Sequence, residues 1–143
     1  MGNYAINVVH GSMVEILWDQ IEPLLGLVAD KAPDDIVPDV VKKKLLAGDE
    51  ALMIIQQADI IVGIVVLTVR TLDSGVKALF LPIVAGSDID NWMNEGFAVI
   101  FKVAKQYGCT ELRGVSARAG WMRKLKDYGW EEVFTTVRCG LGE

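Results

Sequence analysis

The sequence predicts an α/β (α+β) fold: a mixed, mostly antiparallel sheet of six to seven strands with helices on both faces. Three observations carry that expectation. β-Branched, extended-period runs fill Ala51 to Val84, and helix-period stretches flank them on both sides. The run Ile60 to Val69 is almost continuously apolar, as a central strand covered on both faces requires.

Taken in order, Ala5 to His10 reads as a short strand. Ser12 followed by Glu15 has capping-box spacing and opens a helix to about Ala29, with Ile16, Leu17, Ile21, Leu24, Leu25 and Val28 as its buried stripe. Pro23 falls inside this stretch and is expected to kink or divide it. Pro33-Asp34-Asp35 is a turn, and Pro38 starts a second helix that ends near Gly48, with Val40, Val41, Leu45 and Leu46 apolar.

Three strands follow as an antiparallel meander: Ala51 to Gln56, Ile60 to Thr71 and Val76 to Val84. Gln57-Ala58-Asp59 and Leu72-Asp73-Ser74-Gly75 supply the turns between them. Asp88 or Asp90 caps a helix from about Asn91 to Tyr107, stopped by Gly108, whose apolar positions are Trp92, Phe97, Ile100, Phe101 and Ala104. Thr110 to Ala117 is a further strand, and Ala119 to Tyr128 a short helix closed by Gly129. Glu132 to Cys139, with alternating Val133, Thr135 and Val137, is the last strand. With no internal repeat or low-complexity linker, residues 1–143 are expected to form a single domain.

The formal net charge of −5 argues against broad nucleic-acid binding, which draws its affinity from clustered Lys and Arg. Between Thr110 and Tyr128 the bases Arg113, Arg118, Arg123, Lys124 and Lys126 outnumber Glu111 and Asp127, and this segment reads first as a solvated helix face. The longest apolar run is about ten residues, half of what a membrane span needs. With no secretory or myristoylation pattern at the start, a cytoplasmic location is expected. Cys109 and Cys139 are then reduced, structural thiols. One histidine, His10, and two separated cysteines supply too few ligands for a metal site. No Walker loop, Gly-x-Gly-x-x-Gly or Gly-x-Ser-x-Gly pattern occurs.

Strand, two helices, a three-strand meander, helix, strand, helix, strand is the order of the GNAT superfamily of acyl-coenzyme A-dependent N-acetyltransferases, and the chain resembles it over nearly its whole length. Val62-Gly63, Leu81-Pro82 and Leu125-Lys126-Asp127-Tyr128-Gly129-Trp130 agree with that resemblance. The segment Ala117-Arg118-Ala119-Gly120-Trp121-Met122-Arg123 through Gly129-Trp130 also looks like GNAT-like proteins encoded by tailed bacteriophages.

The resemblance implies that the fourth and fifth strands splay apart, so that Leu81, Pro82, Ile83 and Val84 meet the pantetheine arm of acetyl-CoA. It implies that the pyrophosphate rests on Gly86 and the Ser87 amide at the following helix start. This chain departs from the family's Arg/Gln-x-x-Gly-x-Gly/Ala loop, offering Ala85-Gly86-Ser87-Asp88-Ile89-Asp90. Asp88 and Asp90 would repel phosphate or cap the same amides, so weak or absent coenzyme A binding is expected. Leu125 stands at the family's Tyr position and Arg118 at its Asn position, and neither can replace the chemistry. Tyr128 lies three residues from the Tyr position and reads as a rim aromatic. Glu111, at the start of the fifth strand, is the candidate general base. Trp92 and Trp121, near helix starts, read as core or as fillers of the donor groove.

Two function classes follow from the resemblance. One is an N-acetyltransferase moving an acetyl group from acetyl-CoA to a primary amine of a small molecule or protein. The other is a catalytically degenerate phage protein, in host cytoplasm or virion, that binds phage structural proteins as an assembly component; a homodimer is an expectation tied to neither class.

Overall fold

The structure, a computed structural model, describes residues 3–115 and 119–142. Its elements in chain order are β1 (Ala5–Val9), α1 (Gly11–Ala29), α2 (Pro38–Ala47), β2 (Ala51–Gln57), β3 (Ile60–Thr71), β4 (Lys77–Gly86), α3 (Ile89–Gln106), β5 (Glu111–Gly114) and α4 (Ala119–Asp127). The strands form one sheet in the order β1-β2-β3-β4-β5, antiparallel throughout except for the parallel β4–β5 pair. Five strands are therefore found among the described residues where six to seven were expected. The expected strand over Glu132 to Cys139 is irregular chain: alternation sets a side-chain period, but no strand of the sheet bonds to this segment among the described residues. Ala117 and Arg118 lie outside the described residues.

Helices cover both faces, and alternate side chains of β3 feed two cores. Ile64 and Val66 join Val14, Ile21, Leu25 and Leu45 of α1 and α2 on one side. Val65 and Leu67 join Trp92, Phe97 and Ile100 of α3 and Leu125 of α4 on the other. Every inward position of this central strand is thus paid in apolar contact, as its near-continuous hydrophobic run requires.

The helix ends differ in detail from the sequence expectation. α1 is capped by His10, whose Nδ1 accepts a 3.2 Å hydrogen bond from the Ser12 amide; Ser12 is already inside the helix. Glu15 instead pairs with Lys42 Nζ at 2.9 Å, tying α1 to α2, and the same ammonium lies 5.3 Å from the Trp18 ring centre. Pro23 does not divide α1, since its missing N–H falls opposite Asp19 on the exposed side. The buried stripe of α1 is Val14, Trp18, Ile21 and Leu25, so Ile16 faces water, as does Phe101 on α3. α2 begins with Pro38 and ends on Gly48 at φ 81°, the left-handed cap its glycine permits.

Two irregularities shape the sheet beside β4. Val66 pairs with Ile83 and Thr68 with Phe80, so Leu81 and Pro82 together oppose Leu67 in a β-bulge. Before the bulge Leu79 and Leu81 face α3; beyond it Ile83 and Ala85 face α1. At the far end of β4, Gly86 pairs with Gly63. A Cβ on Gly86 would strike the Val62 carbonyl oxygen and come within 2.6 Å of the Gly63 Cα, and φ 146° is itself a glycine conformation.

Candidate functional site

The β4–β5 ladder runs from Ala78–Glu111 to Leu81–Gly114 and stops at the bulge. β4 continues to Gly86 while β5 ends, so the backbone from Pro82 onward has no strand on that side among the described residues. Proline belongs at such a place, having no N–H to offer a ladder.

Beneath this divergence lies a small cavity lined by Leu81, Val84, Met93, Phe97, Trp121 and Trp130 among others. Its volume is about 20 Å³. That is room for one water, which needs at least roughly 10–15 Å³ by the same kind of measure. Phe97, Trp121 and Trp130 fill the space, and Phe97 meets Trp130 at 5.9 Å between ring centres and Tyr128 edge-on at 5.1 Å. Leu125, at the family's Tyr position, is buried in the same core.

The turn into α3 forms the other end of the candidate site. The Ser87 amide donates to the Val62 carbonyl at 2.9 Å and so extends the contact between β3 and β4. The Ser87 carbonyl accepts a 2.9 Å hydrogen bond from Trp92 Nε1, and the indole is fully buried. Asp88 takes the N-cap position at φ 54° without a side-chain cap bond, and the Asn91 amide donates to its carbonyl at 2.9 Å. The Ile89 and Asp90 amides make no backbone hydrogen bond among the described residues. Those donors and the helix dipole attract anions, but Asp90 adds a carboxylate in the same turn, held by Lys124 Nζ at 2.8 and 3.0 Å.

The sequence-derived site residues are thus only partly gathered. Leu81 and Val84 line the small cavity, while Ile83 is turned to the opposite core and Gly86 is spent on the close approach to β3. Glu111 pairs with Ala78, three residues before the ladder ends, about 10 Å from the divergence at a strand's rise per residue. Its Oε2 accepts a 2.6 Å hydrogen bond from Arg113 Nε. Trp92 packs in the core across Gly63, and Trp121 lines the cavity. A larger hollow of about 390 Å³ lies between Val8, Glu50, Thr68, Val69, Val103 and Tyr107, and none of the expected site residues lines it.

Sequence reasoning did not bring Phe97, Tyr128 and Trp130 together, since no local pattern links them. The bulge did leave a signal: a proline inside an otherwise regular strand run points to an edge or a bulge. Among the described residues no group of three His, Cys, Asp or Glu side chains could hold a metal, and both cysteines are free, Cys109 buried and Cys139 exposed. No helix among the described residues is long and apolar enough to cross a membrane.

No protein-family model matches the sequence, and no curated protein matches it either. Solved structures do. Ribosomal-protein-alanine N-acetyltransferase from Brucella melitensis biovar Abortus 2308 superposes with a TM-score of 0.70 at 14% identity, covering 96% of this chain and 99% of that one. Glucosamine-6-phosphate N-acetyltransferase from Arabidopsis thaliana gives a TM-score of 0.67 at 13% identity, with 97% and 99% covered. A predicted acetyltransferase from Clostridium acetobutylicum, solved with acetyl-CoA, gives 0.69 at 10% identity, with 96% of each chain covered. Identities this low speak for architecture alone, and the chain has the GNAT fold of these acetyltransferases.

Proposed function

We propose that the chain keeps the GNAT scaffold without its acetyl-CoA chemistry and serves as a binding component. One observation carries the reading: the space beside Leu81 and Val84 is packed by Phe97, Trp121 and Trp130 down to about 20 Å³. A pantetheine arm is many times larger. The helix start adds to this, because the Ser87 amide is already bonded to Val62 and Asp90 sets a carboxylate in the first turn of α3. On this reading the residues around the space and at the helix start do not fit acetyl-CoA.

Calorimetric titration with acetyl-CoA tests this directly. The expected result is no saturable heat at millimolar donor; a saturable isotherm overturns the reading.

A second reading is favoured by a different observation, the continuation of β4 beyond the end of its ladder with β5. On that reading the chain transfers an acetyl group from acetyl-CoA to a primary amine of a small molecule or protein. Leu81, Pro82, Ile83 and Val84 would flank the donor arm, Gly86 and Ser87 would lie by the pyrophosphate, and Glu111 would be the base. Asp90→Asn then tightens donor binding by removing a like charge, whereas the first reading expects no binding in either form.

A further inference from the structure

The hollow of about 390 Å³ at the carboxyl end of α3 has the size of a small-molecule site, which usually runs from about 300 to 1,000 Å³. It arises because β3 outruns its neighbour. Leu67 pairs with Ala51, the first residue of β2, so Thr68 to Thr71 project past β2, and α3 ends at Gln106 beside the same stretch. Across the overhang lies the α2–β2 turn, fixed there by Thr68 Oγ1, which donates to the Asp49 carbonyl at 3.3 Å.

The floor of the hollow is apolar and its rim is acidic. The cross-strand pairs Ala51–Leu67 and Val69–Leu79 line it together with Val8. Val8, Val69 and Tyr107 are 44%, 39% and 58% exposed, so three large apolar or aromatic side chains facing one space stay wet. Asp49 and Glu50 also line it, and no Lys, Arg or His does. Neither carboxylate joins an ion pair among the described residues. The neighbouring ammonium groups stay outside: Lys77 Nζ is held by the Tyr107 carbonyl at 2.6 Å, and Lys105 in the last turn of α3 is no part of the lining. The helix itself adds to the sign, since the carboxyl end of an α-helix carries about half a negative charge.

We propose that this hollow binds a small organic cation with an apolar body, its charge set among Asp49, Glu50 and the Tyr107 ring and its body on the floor. An anion would meet two like charges there, and a neutral apolar molecule would leave both carboxylates unmatched. The 18 residues of α3 put about 27 Å between this end of the helix and its start. None of Leu81, Pro82, Ile83, Val84, Gly86 and Ser87 lines the hollow, so the proposal is independent of whether acetyl-CoA binds.

The test follows backbone amide chemical shifts of the full chain during titration with benzyltrimethylammonium, a cation with no N–H to acetylate. Saturable shifts are expected at Val8, Ala51, Val69 and Tyr107, with a dissociation constant of about 1 mM or tighter. Asp49→Asn/Glu50→Gln, a near-isosteric change, is expected to weaken binding about fivefold or more with the unfolding midpoint unchanged. Benzyl alcohol, which keeps the ring and lacks the charge, is expected to bind no more tightly than the cation binds that variant. Absence of a saturable shift overturns the proposal. So does an affinity unchanged in the amide variant or equalled by benzyl alcohol, or a response centred on Leu81 to Val84. Sedimentation of the same samples reads the rival occupant, a second copy: a dimer in which the amides of the hollow are protected from hydrogen exchange also overturns it.

Discussion

Trp92 donates from Nε1 to the Ser87 carbonyl at 2.9 Å while its ring occupies the place of a side chain at Gly63, where a Cβ would stand 2.6 Å from Cζ2. One indole therefore ties the first turn of α3 both to the end of β4 and to β3. The turn that the sequence marks as an anion site is anchored to the core through this ring.

Gly63→Ala forces the indole to move, because the Cβ meets a packed ring rather than a flexible chain end. Overpacking of this kind costs about 1–3 kcal/mol. Urea unfolding should show a lower midpoint with an unchanged slope.

Trp92→Phe keeps an aromatic ring but strips the Ser87 carbonyl of its donor in a part-buried setting. A loss of about 0.5–1.5 kcal/mol is expected from the unmade bond, with more from the smaller ring. Thermal unfolding compared with that of Phe101→Leu, an exposed aromatic site on the same helix, checks that the loss belongs to position 92.

Ser87→Pro deletes the amide that bonds Val62 and is expected to lower stability by about 1 kcal/mol or more. Amide exchange in segment 60–64 should quicken relative to wild type. Unchanged exchange there would contradict the bond described between Ser87 and Val62.

Lys124→Ala removes the ion pair that links α4 to Asp90. Both side chains are more than half exposed, so the change in unfolding free energy should stay within about 0.5 kcal/mol. A larger drop would mean that α4 is held by this charge rather than by Leu125 and its aromatic neighbours.

The helices and the meander were legible because their signals are local. Pro38 and Gly48 bracket α2, and the two polar turns separate β2, β3 and β4 where expected. Ala58 and Asp59, at φ 51° and 68°, make the tight two-residue turn between β2 and β3. The phase of α1 was less legible, because Ile16 and Val14 are equally apolar and only the packing of α2 and the sheet selects Val14. The tail was misread for a different reason: Val133, Thr135 and Val137 have a strand's alternation, but whether a partner edge exists is not written locally. For the candidate site, the helix start and its carboxylates could be read directly, and the filling of the space beside β4 could not, since Phe97, Trp121 and Trp130 are distant in sequence.

The extra residue at Leu81–Pro82 also makes the second half of β4 a matter of parity. Deleting Pro82 alone would leave Leu81 opposite Leu67 and keep Ile83 and Ala85 on the α1 side, whereas deleting Val84, beyond the bulge, would turn Ala85 toward α3. Gly86 would then slip out of step with Gly63, whose bare Cα admits its close approach. Beyond the bulge a single insertion or deletion inverts the strand, which makes the length of Ile83 to Gly86 a stricter requirement than the identity of most of its side chains.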